Sequence, residues 1–241
     1  MSGTRITFIS GWGAGVDAWA PVVRYLGGAG ECAHVPWWDC MGKVPDGNAL
    51  LRTLGKSPAR TAHLLAGWSL GGLIALDAAA RAPERVAGLV LVAATARMTA
   101  DRDYSGADPH VVRAMVQHLE RDPEATLGEF ARLCIAPAED AVFQEEFVRG
   151  AMRIGPERLR AGIEYLLHTD VRATLPGLRL PVTVLHGEDD HVIRLCAGVY
   201  LADNIDGARL TRVPRTGHAL CRTDPGLVAA EIRRLIHADG R

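Results

Sequence analysis

Gly67-Trp68-Ser69-Leu70-Gly71-Gly72 places a serine between an apolar run, HLLA, and an amphipathic run, LIALDAAARA. Strand, G-x-S-x-G and helix in that order describe a nucleophile elbow, a sharp turn that exposes the hydroxyl at the carboxyl edge of a sheet. The glycines belong there because the backbone turns tightly and packs closely. A serine hydroxyl attacks an acyl carbon at neutral pH only with a base to take its proton and a third group to hold that base in the right tautomer. The chain offers both in order. The run PVTVLHG leads into Glu188-Asp189-Asp190, and ARLTRVP leads into Arg215-Thr216-Gly217-His218. Asp190 is the candidate acid, at G-x-x-D spacing from the strand end, while Asp189 reads as a cap for the helix that follows. His218, after a glycine on the last strand-to-helix loop, is the candidate base. His186 ends a strand within an apolar run and reads as a packed core residue, and His191 is expected at the mouth of the site. The negative charge formed by acyl attack needs two backbone N–H donors. Leu70, after the nucleophile, supplies one, and Trp12 in Ser10-Gly11-Trp12-Gly13 supplies the other. A dinucleotide fingerprint on that loop would require glycine at 16, where the sequence has Val16.

Such residues must be carried by a sheet. Short β-branched or Leu-rich runs bounded by Gly or Pro recur at Arg5–Ser10, Cys32–Pro36, Ala62–Ala66, Val86–Ala93, Pro181–His186 and Arg209–Val213. Helical patterns separate them, at Asp17–Leu26, Gly47–Leu54, Leu70–Arg81, Leu195–Asn204 and Asp224–His237, the last opening with an Asp-Pro cap. This alternation predicts an α/β fold with a mostly parallel sheet between helices. From about Thr95 to Leu178 the strand signals stop. Proline after Asp108, Asp122, Ala136 and Gly155 predicts four successive helices, opening at Pro109, Pro123, Pro137 and Pro156. The expected organisation is a core of residues 1–95 and 179–241 interrupted by a helical lid over 96–178.

Composition excludes several other classes. At 241 residues with 48% apolar and 23% charged side chains, the chain is long enough to bury roughly three-quarters of its unfolded surface, so it is not a disordered tail. A formal charge of -1 lacks the basic excess that a nucleic-acid partner calls for. The longest apolar stretch, Val86 to Ala96, has 11 residues where a membrane span needs about 20. The N-terminal MSGTRITFISGWG has too short an apolar core for a secretory signal, and the chain reads as cytosolic. Five scattered cysteines with no CxxC pair indicate neither a disulfide framework nor a zinc site, and acyl-enzyme chemistry on a serine is expected to proceed with no metal and no organic cofactor.

With these motifs in hand, the chain resembles the α/β-hydrolase superfamily over nearly its whole length. More narrowly it resembles the family of pimeloyl-acyl carrier protein methyl ester carboxylesterases of biotin synthesis. The features that carry this are G-W-G after the first strand, G-W-S-L-G-G, and the run Gly162-Ile163-Glu164-Tyr165-Leu166-Leu167-His168-Thr169-Asp170-Val171-Arg172 leading to Pro176 and Leu180-Pro181. The resemblance implies a serine esterase that cleaves a methyl ester at the end of a carrier-borne acyl chain and releases methanol, with Ser69, Asp190 and His218 as triad and Trp12 and Leu70 as oxyanion hole. It also implies docking of an acyl carrier protein on lid arginines, for which Arg149, Arg153, Arg158 and Arg160 are the candidates. Their alternative is an ordinary solvated face paired with Glu145, Glu146 and Glu157. Two departures stand out: Ser10 replaces the usual histidine before the first glycine of the oxyanion loop, and the leading hairpin common in these hydrolases is not evident. Thioester or other small-ester hydrolysis on the same triad is the second reading. A catalytically silent ligand receptor is the third, disfavoured because a receptor has no need of nucleophile, base and acid together.

Overall fold

The computed structural model describes residues 5–40, 48–55 and 63–238. Gly47 and Ala62, the expected starts of a helix and a strand, lie outside these residues. Among the described residues six strands form one sheet: β1 (Arg5–Ile9), β2 (Glu31–Val35), β3 (His63–Trp68), β4 (Val86–Val92), β5 (Val182–Gly187) and β6 (Arg209–Val213). Their order is β2-β1-β3-β4-β5-β6, and every pairing is parallel. A parallel sheet covered on both faces should have continuous apolar central strands, and β3 and β5 are buried at every position.

The flanking helices are α1 (Ala20–Leu26), α2 (Asn48–Leu54), α3 (Leu70–Arg81), α8 (Leu195–Asn204), α9 (Leu220–Thr223) and α10 (Pro225–Ala238). The helix expected over Asp17–Leu26 is two pieces. A 3-10 turn spans Val16–Trp19, and α1 begins only at Ala20 because Pro21 is tolerated in a first turn and not in a helix interior.

Between β4 and β5 lie four helices: α4 (Pro109–Arg121), α5 (Pro123–Ile135), α6 (Ala141–Ile154) and α7 (Pro156–His168). Aspartates cap three of them. Asp108 accepts from His110 N at 2.8 Å, Asp122 from Ala125 N at 3.0 Å and Asp140 from Phe143 N at 2.8 Å. Pro137 therefore does not open a helix as its spacing predicts. Ala136 before it is extended, as a residue preceding proline prefers, and the chain turns until Asp140 provides a cap. The two ends of this insertion meet at its base. Arg97 and Asp170 form an antiparallel bridge, and Arg97 and Arg172 both pair with Asp101 and Asp170 at 2.6–3.0 Å.

Chain direction fixes where a site can form. From β1 the chain passes to β2 at one side, and from β3 it moves to the other, so a crevice opens beyond the carboxyl ends of β1 and β3. Ile9 and Gly67 are register partners, which sets the loops that follow β1 and β3 side by side.

Candidate active site

Ser69 sits in that crevice with φ 56° and ψ -119°, a region that L side chains rarely adopt. Its amide bonds to Val92 O at 2.9 Å, and its carbonyl accepts from Gly72 and Leu73, so the strand-to-helix turn is held at both ends. A Cβ on Gly67 would lie 2.4 Å from Gly71 O, and one on Gly71 would lie 2.2 Å from Ile9 O. The glycines thus let the helix start press against the strand ends. Ser69 itself is 6% exposed.

Asp190 and His218 come together from the ends of β5 and β6. Their register partners Gly187 and Val213 bring the two loops level, and Glu188 N and Asp189 N donate to Val213 O and Thr216 O. Nδ1 of His218 lies 2.8 Å from Oδ2 of Asp190, both side chains being buried. Oδ1 of Asp190 accepts from Val192 N and Ile193 N, each at 2.8 Å. Burial would raise this carboxyl, but the imidazoles of His218 and His186 outweigh it and hold Asp190 well below the usual carboxylate range. Asp189 is half-buried and caps nothing: α8 is preceded by Arg194, and it is Asp190 that binds the loop amides.

Nε2 of His218 is buried with no hydrogen-bond partner among the described residues. The ring is fixed from two sides, by the Asp190 bond and by Trp68, whose Nε1 donates to His218 O at 2.9 Å and whose ring centroid is 5.8 Å away. The tryptophan beside the serine therefore also anchors the histidine loop. Sequence reasoning used Trp68 only as part of a motif.

The loop after β1 closes the crevice. A Cβ on Gly11 would be 3.2 Å from Cβ of Ser69. Neither the Trp12 amide nor the Leu70 amide donates to another backbone group among the described residues, as expected of a first-turn N–H in Leu70. The Trp12 indole turns to the insertion, donating to Leu159 O of α7 at 2.7 Å and meeting Phe130 of α5 edge-on at 4.9 Å. Gly162 of α7 makes this possible, since a Cβ there would be 2.6 Å from the Trp12 ring. Beside the site, Gly13, Trp68, Phe143, Phe147 and Ala219 line a cavity between the loop after β1 and α6.

His191 is exposed and lines a different cavity with Arg97, Tyr104 and Arg194. His186 is fully buried, as its apolar surroundings predict, yet its Nε2 lies 2.7 Å from Ile193 O and 3.4 Å from Oδ2 of Asp190. Only its position four residues before the acid hints at this. The arginines lie away from the crevice, Arg149 and Arg153 on α6 and Arg158 and Arg160 on α7, all exposed. Arg160 pairs with Glu120 at 3.7 Å, and Arg158 lies 6.0 Å from the Trp38 ring centroid. Among the described residues none of the four pairs with Glu145, Glu146 or Glu157. Glu146 instead faces Arg222 at 3.8 Å.

No helix among the described residues is long and apolar enough to cross a membrane. Residues 49–225 match the model of the alpha/beta hydrolase fold. The chain is 32% identical over 235 residues to a pimeloyl-[acyl-carrier protein] methyl ester esterase of Aromatoleum aromaticum, with 91% of this chain and 92% of the relative covered. It is 30% identical to the protein of that name in Nitrosomonas europaea, with 90% of each covered. Among solved structures, an esterase from Exiguobacterium antarcticum superposes with a TM-score of 0.86 at 20% identity, over 98% of this chain and 92% of that one, a likeness of fold alone.

Proposed function

The chain belongs to the alpha/beta hydrolase fold family and is a carboxylic ester hydrolase, and from that premise we propose a serine esterase acting on a carrier-linked acyl methyl ester. The pimeloyl-[acyl-carrier protein] methyl ester named for its relatives is the substrate. The observation that carries the reading is the buried 2.8 Å bond between His218 and Asp190, with the opposite ring nitrogen unpartnered among the described residues, beside the elbow that presents Ser69.

Nε2 of His218 takes the Ser69 proton as Oγ attacks the ester carbonyl carbon. The resulting oxyanion accepts hydrogen bonds from the Trp12 and Leu70 amides. Collapse breaks the bond to the methoxy oxygen, which leaves as methanol with the proton from His218. Water then attacks the acyl-serine, gives its proton to His218, and releases the free acid as Ser69 Oγ recovers that proton. The helical insertion serves as a lid, and its arginines serve as the landing surface for an acidic carrier.

Ser69→Ala should lower kcat on the carrier-linked methyl ester by about 10⁴-fold or more without loss of fold. A fluorophosphonate should label Ser69 in the wild-type chain. Retained activity, or labelling elsewhere, would overturn the nucleophile assignment. Faster turnover of a carrier-linked thioester than of the methyl ester would move the reaction to thioester hydrolysis.

A further inference from the structure

His186 is the penultimate residue of β5, with no exposed surface, and the reaction steps above leave it unused. A carbonyl oxygen only accepts, so the 2.7 Å contact with Ile193 O puts the ring hydrogen on Nε2. That same N–H stands 3.4 Å from Oδ2 of Asp190. On the other side Nδ1 is buried without a hydrogen-bond partner among the described residues and lies against Gly198 of α8, where a Cβ would be 2.6 Å away. The ring is therefore fixed in place, with its one donor turned to the acid loop. Without it, Oδ2 would be held among the described residues only by His218, the ring it has to orient.

We propose that His186 is a positioning residue for the catalytic acid, its Nε2–H bridging the Asp190 carboxylate and the Ile193 carbonyl so that Oδ2 keeps its place against His218. The proposal rests on the triad reading of Asp190 and His218. Few other titratable groups face this cluster. The Cys134 thiol of α5 lies near Asp190, and burial pushes it well up, so it brings no charge. Arg212, the register partner of His186 on β6, is exposed, as are Glu188 and His191, and Asp189 is half-buried. The residue of α8 against the ring is Gly198, which carries no charge.

A hydrogen bond to a charged group is worth roughly one to two decades. His186→Leu should thus lower kcat/KM on a small p-nitrophenyl ester by about 10- to 100-fold. Depriving a buried carboxylate of a donor raises the proton affinity of the Asp190–His218 couple, so the acid limb of kcat/KM should move up by about one pH unit. His186→Gln, which keeps a donor at nearly the same reach, should restore most of the rate and the original limb. A variant-free measurement accompanies these: nitrogen-15 NMR of the wild-type imidazoles should show the His186 hydrogen on Nε2. Equal losses in both variants with an unmoved limb, or a His186 ring with its hydrogen on Nδ1 alone, would overturn the proposal. If His186→Leu does not fold, the NMR assignment decides. Activity surviving in Ser69→Ala would instead count against the triad, and the NMR result would still report on His186.

Discussion

Asp189 and Asp190 are neighbours in sequence and unlike in circumstance. Asp190 is 4% exposed and accepts two amides and an imidazole, whereas Asp189 contributes only its backbone N–H to Thr216 O. Asp190→Asn should lower kcat by about 10⁴-fold, because an amide in that position misorients His218 and no longer stabilises its charged form. Asp189→Asn should stay within a few-fold of wild type, and steady-state kinetics with the opposite ranking would transfer the role. With its carboxyl held well below the usual range, Asp190 stays ionised throughout mildly acidic conditions. At this scale much was legible: glycine spacing singled out Ser69, Asp190 and His218, and the structure gathers the last two into one hydrogen bond. His186 was not legible as more than core, because a histidine in an apolar strand gives no sign of which loop will fold over its ring.

The elbow is where element packing and chemistry meet. A methyl group on Gly71 would lie 2.2 Å from Ile9 O and 2.7 Å from Ser10 O, so Gly71→Ala must push α3 away from β1 and its loop. Overpacking of this kind costs about 1–3 kcal/mol, and each kcal/mol lowers Tm by about 2–4 °C in a chain of this size. Calorimetry should show that drop, with kcat falling as the proposed oxyanion donors, the Leu70 and Trp12 amides, are displaced. Wild-type Tm and kcat together would mean the glycine is not needed for close approach. The strands were readable almost to the residue, since apolar runs ending in Gly or Pro leave few alternatives: Val86–Ala93 was expected and Val86–Val92 found. Segments governed by turn geometry were less readable. The 3-10 turns at Val16–Trp19 and Trp37–Cys40 have no hydrophobic period to betray them, and Pro137 mimics a helix start that Asp140 provides instead.

Across the whole molecule the near-zero net charge conceals an uneven surface. Arg149 and Arg153 stand exposed and without ion pairs among the described residues, in an insertion richer in acids than in arginines. Surface charge acts mainly on encounter and is screened over roughly 8 Å at physiological salt. Reversing Arg149 and Arg153 to Glu should therefore raise KM for a carrier-linked ester, most at low ionic strength. kcat/KM for a small p-nitrophenyl ester should stay nearly unchanged. Equal losses on both substrates would mean a damaged insertion, and no loss on either would return these arginines to ordinary solvated surface. The insertion itself was foreseeable from the disappearance of strand signals, but not the way it is fastened, because Arg97 and Asp170 stand 73 residues apart and only the finished fold makes them neighbours. That fastening makes the four helices a cassette. A loop whose ends are already joined costs only about 0.6 kcal/mol more for each doubling of its length. Stretches between Asp101 and Asp170 that do not carry Phe130, Leu159 or Gly162 against Trp12 can thus be lengthened, shortened or replaced while the sheet stays where it is, leaving the shape of the insertion open to change without rebuilding the core.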